Sequence, residues 1–311
     1  MYGCFVRSNV NFGPAVDVDE LASVDLDLWL EPPEPSEADE RLPPGVVVLG
    51  GGDEDFKVVT CQDDQGYLMR VKGRVDIRFS PGLESAVCHP RPGIGEAHLQ
   101  NLNATVLSSW IVLRGGAVFH GSAVAEVPRL PGVEALAFIG PSFGGKSTWA
   151  ALMCSMGARF LTDDALPIGN RDGRPVVQGG YPELRLRRFG ADNWPAFANL
   201  PKRETVDGRL AIMAGAPITS PVNLSCVIVL EHQKEGQEVR LERVSPREAV
   251  LKLAASHRVG RMRQPGAHVV HFERATEVAN SVPVYSARVP GGPPSEAWAE
   301  ALVAELGTHF A

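Results

Sequence analysis

A glycine-rich stretch near the middle of the chain has the residue types and spacing of a phosphate-binding loop. Residues 140–147 read GPSFGGKS, which is a complete GxxxxGK[ST] pattern. Glycines let the backbone curl so that its N–H groups point at phosphate oxygens. Lys146 would reach the β- and γ-phosphates, and the Ser147 hydroxyl would ligate a magnesium ion. The pattern therefore predicts a site for ATP and Mg²⁺.

The segments on either side of this loop have the patterns of a strand and a helix. Upstream, VEALAFIG is typical of a buried strand, and downstream KSTWAALMCSMG is a compact helical segment that Gly157 can end. The partial positive charge at the start of that helix would favour a phosphate further. Phe143 is unusual inside such a loop, and both stacking on the nucleotide and simple packing explain it.

Two adjacent aspartates, Asp163 and Asp164, follow the predicted helix at the end of a short strand, ARFL. A carboxylate there can meet the magnesium ion beside the loop. One acid suffices for the metal, so the other is predicted to face the hydroxyl that accepts phosphate. A carboxylate beside a cation keeps a low pKa, so its role would be largely orientational. A pair of aspartates that caps a loop is the alternative.

A histidine precedes the glycine-rich stretch in the segment FHGSAV, at position 120. A lone histidine at a strand end is usually structural. Two strands joined by a turn near residues 128–132 would nevertheless bring His120 alongside the predicted phosphate site.

The motifs of this chain occur in the order in which they occur in the HPr kinase/phosphorylase family, which the chain resembles over about residues 105–290. The matching segments are FHGSAV, GPSFGGKST, LTDDALPI and YPELRLRRFG. The resemblance implies an α/β fold with a P-loop core like that of HPr kinase and PEP carboxykinase. A small N-terminal β-rich module would precede this core.

The resemblance also implies roles for individual residues. His120 and Asp163 would lie in the active site and assist the acceptor and the metal, while Asp164 would be the leading base or orienting acid. Lys146 belongs to the implied catalytic set as well. The residues implied to bind the ATP phosphates and magnesium are Gly140, Ser142, Gly144, Gly145, Lys146, Ser147 and Thr148, and Phe143 is added to this nucleotide site as the loop residue placed to stack.

A later motif adds two further residues. Residues 183–185 resemble the Glu-Ile-Arg signature of the family, although Leu186 stands where the family has a glycine. Glu183 would be a second metal contact, and Arg185 would steady the transferred phosphate with its planar donor fork. The family also has an arginine in a later segment, Pro-Val-x-x-Gly-Arg, of which this chain has no clear copy. The candidates for this late arginine are Arg258, Arg261 and Arg263.

These implications together predict an ATP- and Mg²⁺-dependent kinase that phosphorylates a hydroxyl. The layout is similar to HPr-kinase-like proteins of biosynthetic gene clusters, some of which phosphorylate a serine on a ribosomal peptide precursor. The predicted partner is therefore a peptide or protein with an acceptor serine. A nucleotide-dependent switch or sensor and a small-molecule kinase remain alternatives.

Composition indicates an ordinary globular protein. The 311 residues are 44% hydrophobic and 22% charged. No apolar run reaches the ~18 residues of a membrane span, and the start lacks the features of a secretory signal. The five cysteines are widely spaced without a CxxC pair, which is typical of reduced thiols. We therefore expect a cytoplasmic protein without a membrane partner.

The net charge of −7 is unevenly distributed. Residues 15–40 contain ten acidic residues and no Lys or Arg. An acidic solvated segment and a docking surface for a basic partner both explain them. No clustered basic face of the kind that binds nucleic acid is evident, so no nucleic-acid partner is expected. Members of the resembled family form hexamers, but no residues here establish such an interface, so homo-oligomerisation stays open.

The chain is predicted to contain two domains. Residues 1–94 would form the β-rich accessory module with an acidic loop, and residues 95–311 the catalytic domain. Helices are predicted between Gly95 and Gly116, after the N-cap Ser245 with Gly260 as a stop, and at the C-terminus with Gly307 as a stop.

A basic segment includes Arg185, Arg187, Arg188, Lys202, Arg203 and Arg209. It would either attract an acidic peptide or form a solvated face.

Overall fold

The computed structural model describes residues 2, 4–9, 24–31, 47–50, 58–187, 197, 199–232, 238–259, 264–289 and 295–310. The chain folds into two compact units. The described parts of residues 4–116 and 259–268 belong to the first unit, and the described parts of 117–258 and 269–310, together with Tyr2, belong to the second.

The first unit combines one sheet with one long helix among its described residues. The sheet has the order β1-β2-β7-β6-β5-β4-β3. Its elements are β1 (Val6–Ser8), β2 (Leu26–Leu30), β3 (Val47–Gly50), β4 (Val58–Asp63), β5 (Gly66–Val71), β6 (Val75–Phe79) and β7 (Ser85–Pro90), followed by the helix α1 (Glu96–Leu113).

Helix α1 contacts the turn between β6 and β7. Trp110 is almost fully buried, and its indole Nε1 donates a hydrogen bond to the Leu83 carbonyl oxygen at 2.7 Å. The division between the two units accordingly follows this helix, whereas the predicted boundary precedes it.

The second unit contains the remaining strands and helices. These are β8 (Val118–Phe119), β9 (Gly121–Ala125), β10 (Ala135–Ile139), α2 (Lys146–Ser155), β11 (Arg159–Thr162), β12 (Leu166–Arg171), β13 (Arg174–Val177), β14 (Glu183–Arg187), β15 (Lys202–Glu204), β16 (Arg209–Met213), β17 (Val222–His232), β18 (Arg240–Arg243), α3 (Pro246–Ala255), α4 (Ala267–Ser281), β19 (Val284–Val289) and α5 (Glu296–Phe310).

A mixed central sheet organises the second unit. Its main path is β11-β9-β10-β17-β13-β12-β8, and β19 joins it by pairing with β17 and β18. Strand β10 is parallel to β17 and antiparallel to β9. Both β9 and β10 are buried along their whole length, so their side chains supply the apolar cores on both faces of the sheet. The protein is thus of the mixed α/β class.

A separate three-stranded sheet has the order β14-β16-β15. All of its pairings are antiparallel. Leu184, Leu186 and Ile212 belong to the same apolar cluster as Trp149 of helix α2. This packing fixes the small sheet against the helix that follows the glycine-rich loop.

Two predicted helix ends are wrong. Helix α3 begins as predicted, with the Ser245 hydroxyl accepting the Glu248 N–H, but it ends at Ala255 because the next residues pair with β8. Gly260 lies outside the described residues. Helix α5 continues past Gly307 to Phe310, because Phe310 still packs against the apolar cluster.

None of the described helices has both the length and the apolar content that a membrane-spanning segment requires.

Candidate functional site

The glycine-rich loop, residues 140–145, connects β10 to helix α2 as the sequence predicts. Gly145 caps the helix with a φ of 82°, a conformation that costs a residue with a Cβ about 1–2 kcal/mol. The Gly144 N–H donates to the Pro141 carbonyl oxygen at 3.0 Å, and a Cβ on Gly144 would lie only 2.8 Å from that oxygen. The loop is therefore tightly curled, and glycine is required where it curls most.

The side chain of Lys146 folds back over this loop. Its Nζ donates to the carbonyl oxygens of Pro141 at 2.8 Å and Gly140 at 3.2 Å. Burial lowers the pKa of Lys146, while the charges of Asp163 and Asp164 oppose this shift. The ammonium group thus lies over the loop, where the phosphates of a nucleotide would need a cation.

Asp163 lies beside the start of helix α2. Its Oδ1 accepts hydrogen bonds from the Ser147 hydroxyl at 2.8 Å and the Ser122 hydroxyl at 2.5 Å. Its Oδ2 accepts the Arg185 backbone N–H at 3.3 Å. Burial raises the pKa of Asp163, Asp164 adds to the rise, and the two serine hydrogen bonds oppose it. The end of strand β11 therefore places the Asp163 carboxylate next to the glycine-rich loop.

Asp164 has different partners, although it is the next residue in the chain. Arg258 Nη2 lies 2.7 Å from its Oδ2, and His120 Nδ1 lies 3.3 Å from its Oδ1. His120 Nδ1 is also 3.1 Å from the Asp164 carbonyl oxygen, so this nitrogen carries a proton and donates. Burial alone would raise the pKa of Asp164, but Arg258 and His120 outweigh it and hold the pKa well below its usual range.

The segment after helix α3 positions Arg258. The Arg258 N–H donates to the Val118 carbonyl oxygen at 3.0 Å, and the His120 N–H donates to the Ser256 carbonyl oxygen at 2.6 Å. These backbone bonds place Arg258 and His120 side by side next to Asp164. Of the three candidate late arginines, Arg258 joins the site, and Arg261 and Arg263 lie outside the described residues.

Glu183 is held by two arginines on the small sheet. Arg185 Nε lies 3.0 Å from its Oε1, while Arg203 donates to Oε2 from Nε at 2.9 Å and to Oε1 from Nη2 at 2.8 Å. The glutamate side chain is only 3% exposed. The contact between Glu183 and a metal stays a prediction. The two guanidinium groups disfavour it, because their positive charges repel a cation.

Two of the predicted magnesium contacts, Ser147 and Asp163, lie side by side. In the described part of the chain, no group of three or more His, Cys, Asp or Glu side chains is arranged to hold a metal ion. Magnesium bound with a nucleotide keeps several waters and needs only one or two protein oxygens. The adjacent oxygens of Ser147 and Asp163 fit that requirement.

Phe143 is the most prominent side chain of the loop. It is 75% exposed and has a φ of 66°, a conformation that is costly for a residue with a bulky side chain. The guanidinium of Arg187 lies over its ring at 4.6 Å from the centroid. A cation–π contact therefore joins the glycine-rich loop to strand β14.

Sequence reasoning did not anticipate the contacts of three residues near the site. Ser122 is fully buried in β9, and a polar residue within the apolar run GSAVA was the signal that could have revealed it. Arg203 was recognised only as part of the basic segment, because the pairing of β16 with both β15 and β14 is what brings it near Glu183. Tyr2 is buried, its N–H donates to the Gly179 carbonyl oxygen at 2.6 Å, and burial followed by the Asp164 charge raises its pKa.

Comparison with known proteins gives little further information. No family model matches the sequence, and no curated protein matches it. Among solved structures, the chain is similar to the HPr(Ser) kinase/phosphatase from Coxiella burnetii. The two are 8% identical, the match covers 62% of this chain and 95% of that one, and the TM-score is 0.31. A TM-score this low carries no functional argument.

Proposed function

We propose that this protein is an ATP- and Mg²⁺-dependent phosphotransferase that phosphorylates a hydroxyl group, namely that of a serine in a peptide or protein. The observation that supports this function is the contact between Ser147 and Asp163, which joins the end of β11 to the first turn of helix α2. The glycine-rich loop and a carboxylate are thus adjacent, as phosphoryl transfer from a nucleotide bound at that loop would require.

The loop and Lys146 would hold the phosphates. Backbone N–H groups at a helix start favour an anion, and the Lys146 ammonium lies over the same loop. Lys146 would exchange its carbonyl partners for phosphate oxygens, which are stronger acceptors because they are charged. These residues bind and orient the nucleotide.

Ser147 and Asp163 would ligate the metal, which supplies positive charge to the β- and γ-phosphates when bound. A neighbouring cation lowers the pKa of a carboxyl group, so a bound metal would oppose the rise that burial causes in the pKa of Asp163. Ser122 keeps one Asp163 oxygen in place through its hydrogen bond.

Asp164 would orient the acceptor hydroxyl. Because its pKa is held low, it is ionised at neutral pH and can accept a hydrogen bond from that hydroxyl. A strongly acidic carboxyl is a weak base, so the proton would leave late, when the new P–O bond is largely formed. Arg258 and His120 fix the carboxylate in this position.

Asp164 and its partners favour a transferase over a nucleotide-dependent switch. Holding ATP requires the loop, Lys146 and a metal site, but it does not require a second carboxylate with its own arginine and histidine. Such a group is useful where a second reactant must be oriented.

The test is an acceptor scan with γ-labelled ATP and Mg²⁺. We expect label on serine peptides with the wild-type chain and none with Asp164→Asn, which should still bind nucleotide. Label on a metabolite would instead identify a small-molecule kinase. Bound ATP without transfer to any acceptor would identify a switch and contradict the proposal.

A further inference from the structure

The side of the small three-stranded sheet that faces away from its buried leucines carries several arginines. Strand β16 lies between β14 and β15, so its residue Ala211 pairs with Arg185 on one neighbouring strand and with Arg203 on the other. Arg187 pairs with Arg209. Directly paired residues share one side of a sheet, so these side chains lie on the side opposite the buried leucines of β14. We call this surface the arginine face, consisting of Arg185, Arg187, Arg203 and Arg209.

A buried glutamate organises the arginine face. The Glu183 carboxylate accepts hydrogen bonds from both Arg185 and Arg203, and with Arg203 it forms a two-bond fork. Burying an ion pair contributes little net stability, because the desolvation cost offsets the attraction. The arrangement instead fixes two guanidinium groups close together, which is useful for recognising an anion.

The arginine face begins at the glycine-rich loop. The Arg185 N–H donates to Asp163, and the Arg187 guanidinium lies over the Phe143 ring. A molecule that brought a hydroxyl to the two aspartates would therefore lie alongside these arginines.

Positive charge exceeds negative charge on this face. On this side of the described sheet, the four guanidinium groups are accompanied by the carboxylates of Glu183 and Asp207, and Asp207 lies 3.1 Å from Arg209. Glu204 pairs with Leu210 and lies on the other side. Arg187 is exposed, and the Arg209 side chain is 40% exposed. The surplus charge is thus accessible to a partner.

We propose that the arginine face docks an acidic peptide segment that flanks the acceptor serine. The inference rests on the proposed function and adds a substrate class to it. Residues two apart on a strand, such as Arg185 and Arg187, repeat every ~7 Å on one side, and so do alternate residues of an extended peptide. Carboxylates at alternate positions of the substrate therefore match the arginines.

Two labelled peptides and the full-length chain test this inference. One peptide carries a serine with glutamates at alternate positions, and the other has glutamine at those positions. We expect the glutamate peptide to bind at least tenfold tighter in fluorescence anisotropy and to weaken as salt rises. Arg187→Gln and Arg209→Gln should each weaken its binding about threefold, because exposed charge pairs contribute modestly.

Arg240→Gln is the matched control, because Arg240 is an arginine on β18 whose side chain is 74% exposed. It should bind the glutamate peptide as the wild type does. Equal binding of both peptides, or unchanged binding by the Arg187 and Arg209 variants, would overturn the inference. Binding of inorganic phosphate without binding of either peptide would overturn it as well.

Mg-ATP binding is measured in parallel. Bound ATP without a preference for the acidic peptide refutes only this inference, whereas acidic preference without ATP binding refutes the proposed function.

Discussion

The two adjacent aspartates have pKa values shifted in opposite directions, for reasons that their neighbours explain. Burial raises the pKa of Asp163, whose hydrogen bonds come from neutral groups. Burial also acts on Asp164, but the charge of Arg258 and the hydrogen bond from His120 lower its pKa overall. The pair therefore combines a carboxyl group whose pKa is raised by burial with one whose pKa is lowered by its charged partners.

Opposite effects on stability follow from these shifts. A carboxyl group whose pKa is higher in the folded chain than in the unfolded chain stabilises the fold at low pH, and this stability is lost as pH rises through the raised pKa. The Asp163 carboxyl therefore lowers the free energy of unfolding at pH 7. A lowered pKa contributes stability above the usual aspartate value that is lost only as pH falls through the lowered value. Without nucleotide or metal, Asp163→Asn should raise the free energy of unfolding, and Asp164→Asn should lower it by about 1–3 kcal/mol.

Urea denaturation at pH 7 measures both variants. Asp172→Asn is the control, because Asp172 is exposed in a turn and should change stability by less than about 0.5 kcal/mol. Shifts of the same sign for the Asp163 and Asp164 variants would show that their environments do not differ as described.

Lys146 should be required for turnover and dispensable for folding. Loss of a charge contact to the transferring group costs about 2.7–4 kcal/mol of barrier, so Lys146→Ala should lower kcat about 10²- to 10³-fold. Lys146→Met retains most of the buried stem and should behave in the same way. The rate of ADP release measures the effect, and a kcat within threefold of the wild type would contradict the assigned role.

The individual residues of the glycine-rich loop could be predicted because their spacing is local. Gly140 to Ser147 form one continuous pattern, and the chemistry of phosphate binding explains its glycine, lysine and serine positions. The contacts of Ser122 and Arg203 could not be predicted, because they depend on how strands pair. Pairing of β9 with β11 brings Ser122 to Asp163, and pairing of β16 with both β15 and β14 brings Arg203 to Glu183. Which late arginine joins the site likewise depended on the bond between Arg258 and Val118.

At the level of elements, the shape of the loop between β10 and α2 should control nucleotide affinity. Gly144→Ala would place a Cβ 2.8 Å from the Pro141 carbonyl oxygen, so the loop must open to accept it. We expect Mg-ATP affinity to fall at least about tenfold, which corresponds to ~1.4 kcal/mol. Titration calorimetry measures this change.

Gly173→Ala is the control for this loop variant. Gly173 has a φ of 79° in the turn between β12 and β13, and nothing lies within 4 Å of its added Cβ. It should lower stability by about 1 kcal/mol and leave the affinity for Mg-ATP unchanged. Equal losses of affinity in both variants would show that backbone strain, not the shape of the loop, is responsible.

Elements with strong local patterns were predictable, and their ends were less so. Strand β10, helix α2 and the Ser245 cap of α3 agree with the sequence expectations. The ends of α3 and α5 do not, because tertiary contacts decide them. Pairing with β8 ends α3 early, and packing of Phe310 extends α5 beyond a glycine.

At the level of the whole molecule, nucleotide binding should stabilise the folded chain. A ligand at one hundred times its Kd adds about 2.7 kcal/mol to the free energy of unfolding, so Mg-ATP should raise the Tm. Differential scanning calorimetry of the full chain measures this shift. Lys146→Ala should abolish most of it, and a shift of equal size in that variant would place the nucleotide elsewhere.

The arrangement of the whole molecule was the least predictable part. Alternating strands and helices indicated a layered α/β protein, but strand order depends on pairings between residues far apart in the sequence. Glu183, Arg185 and the basic segment were recognisable in the sequence, but their assembly into the separate sheet of β14, β16 and β15 was not.

The central claim is that the curled loop binds the phosphates of ATP and presents them to the two aspartates. The most direct measurement is a crystal structure of the full chain with Mg²⁺ and a non-hydrolysable ATP analogue. We expect phosphate oxygens within hydrogen-bond distance of Lys146 Nζ and a magnesium ion about 2.1 Å from the Ser147 hydroxyl oxygen. A nucleotide bound away from this loop, or Asp163 and Asp164 both turned away from its phosphates, would contradict the claim.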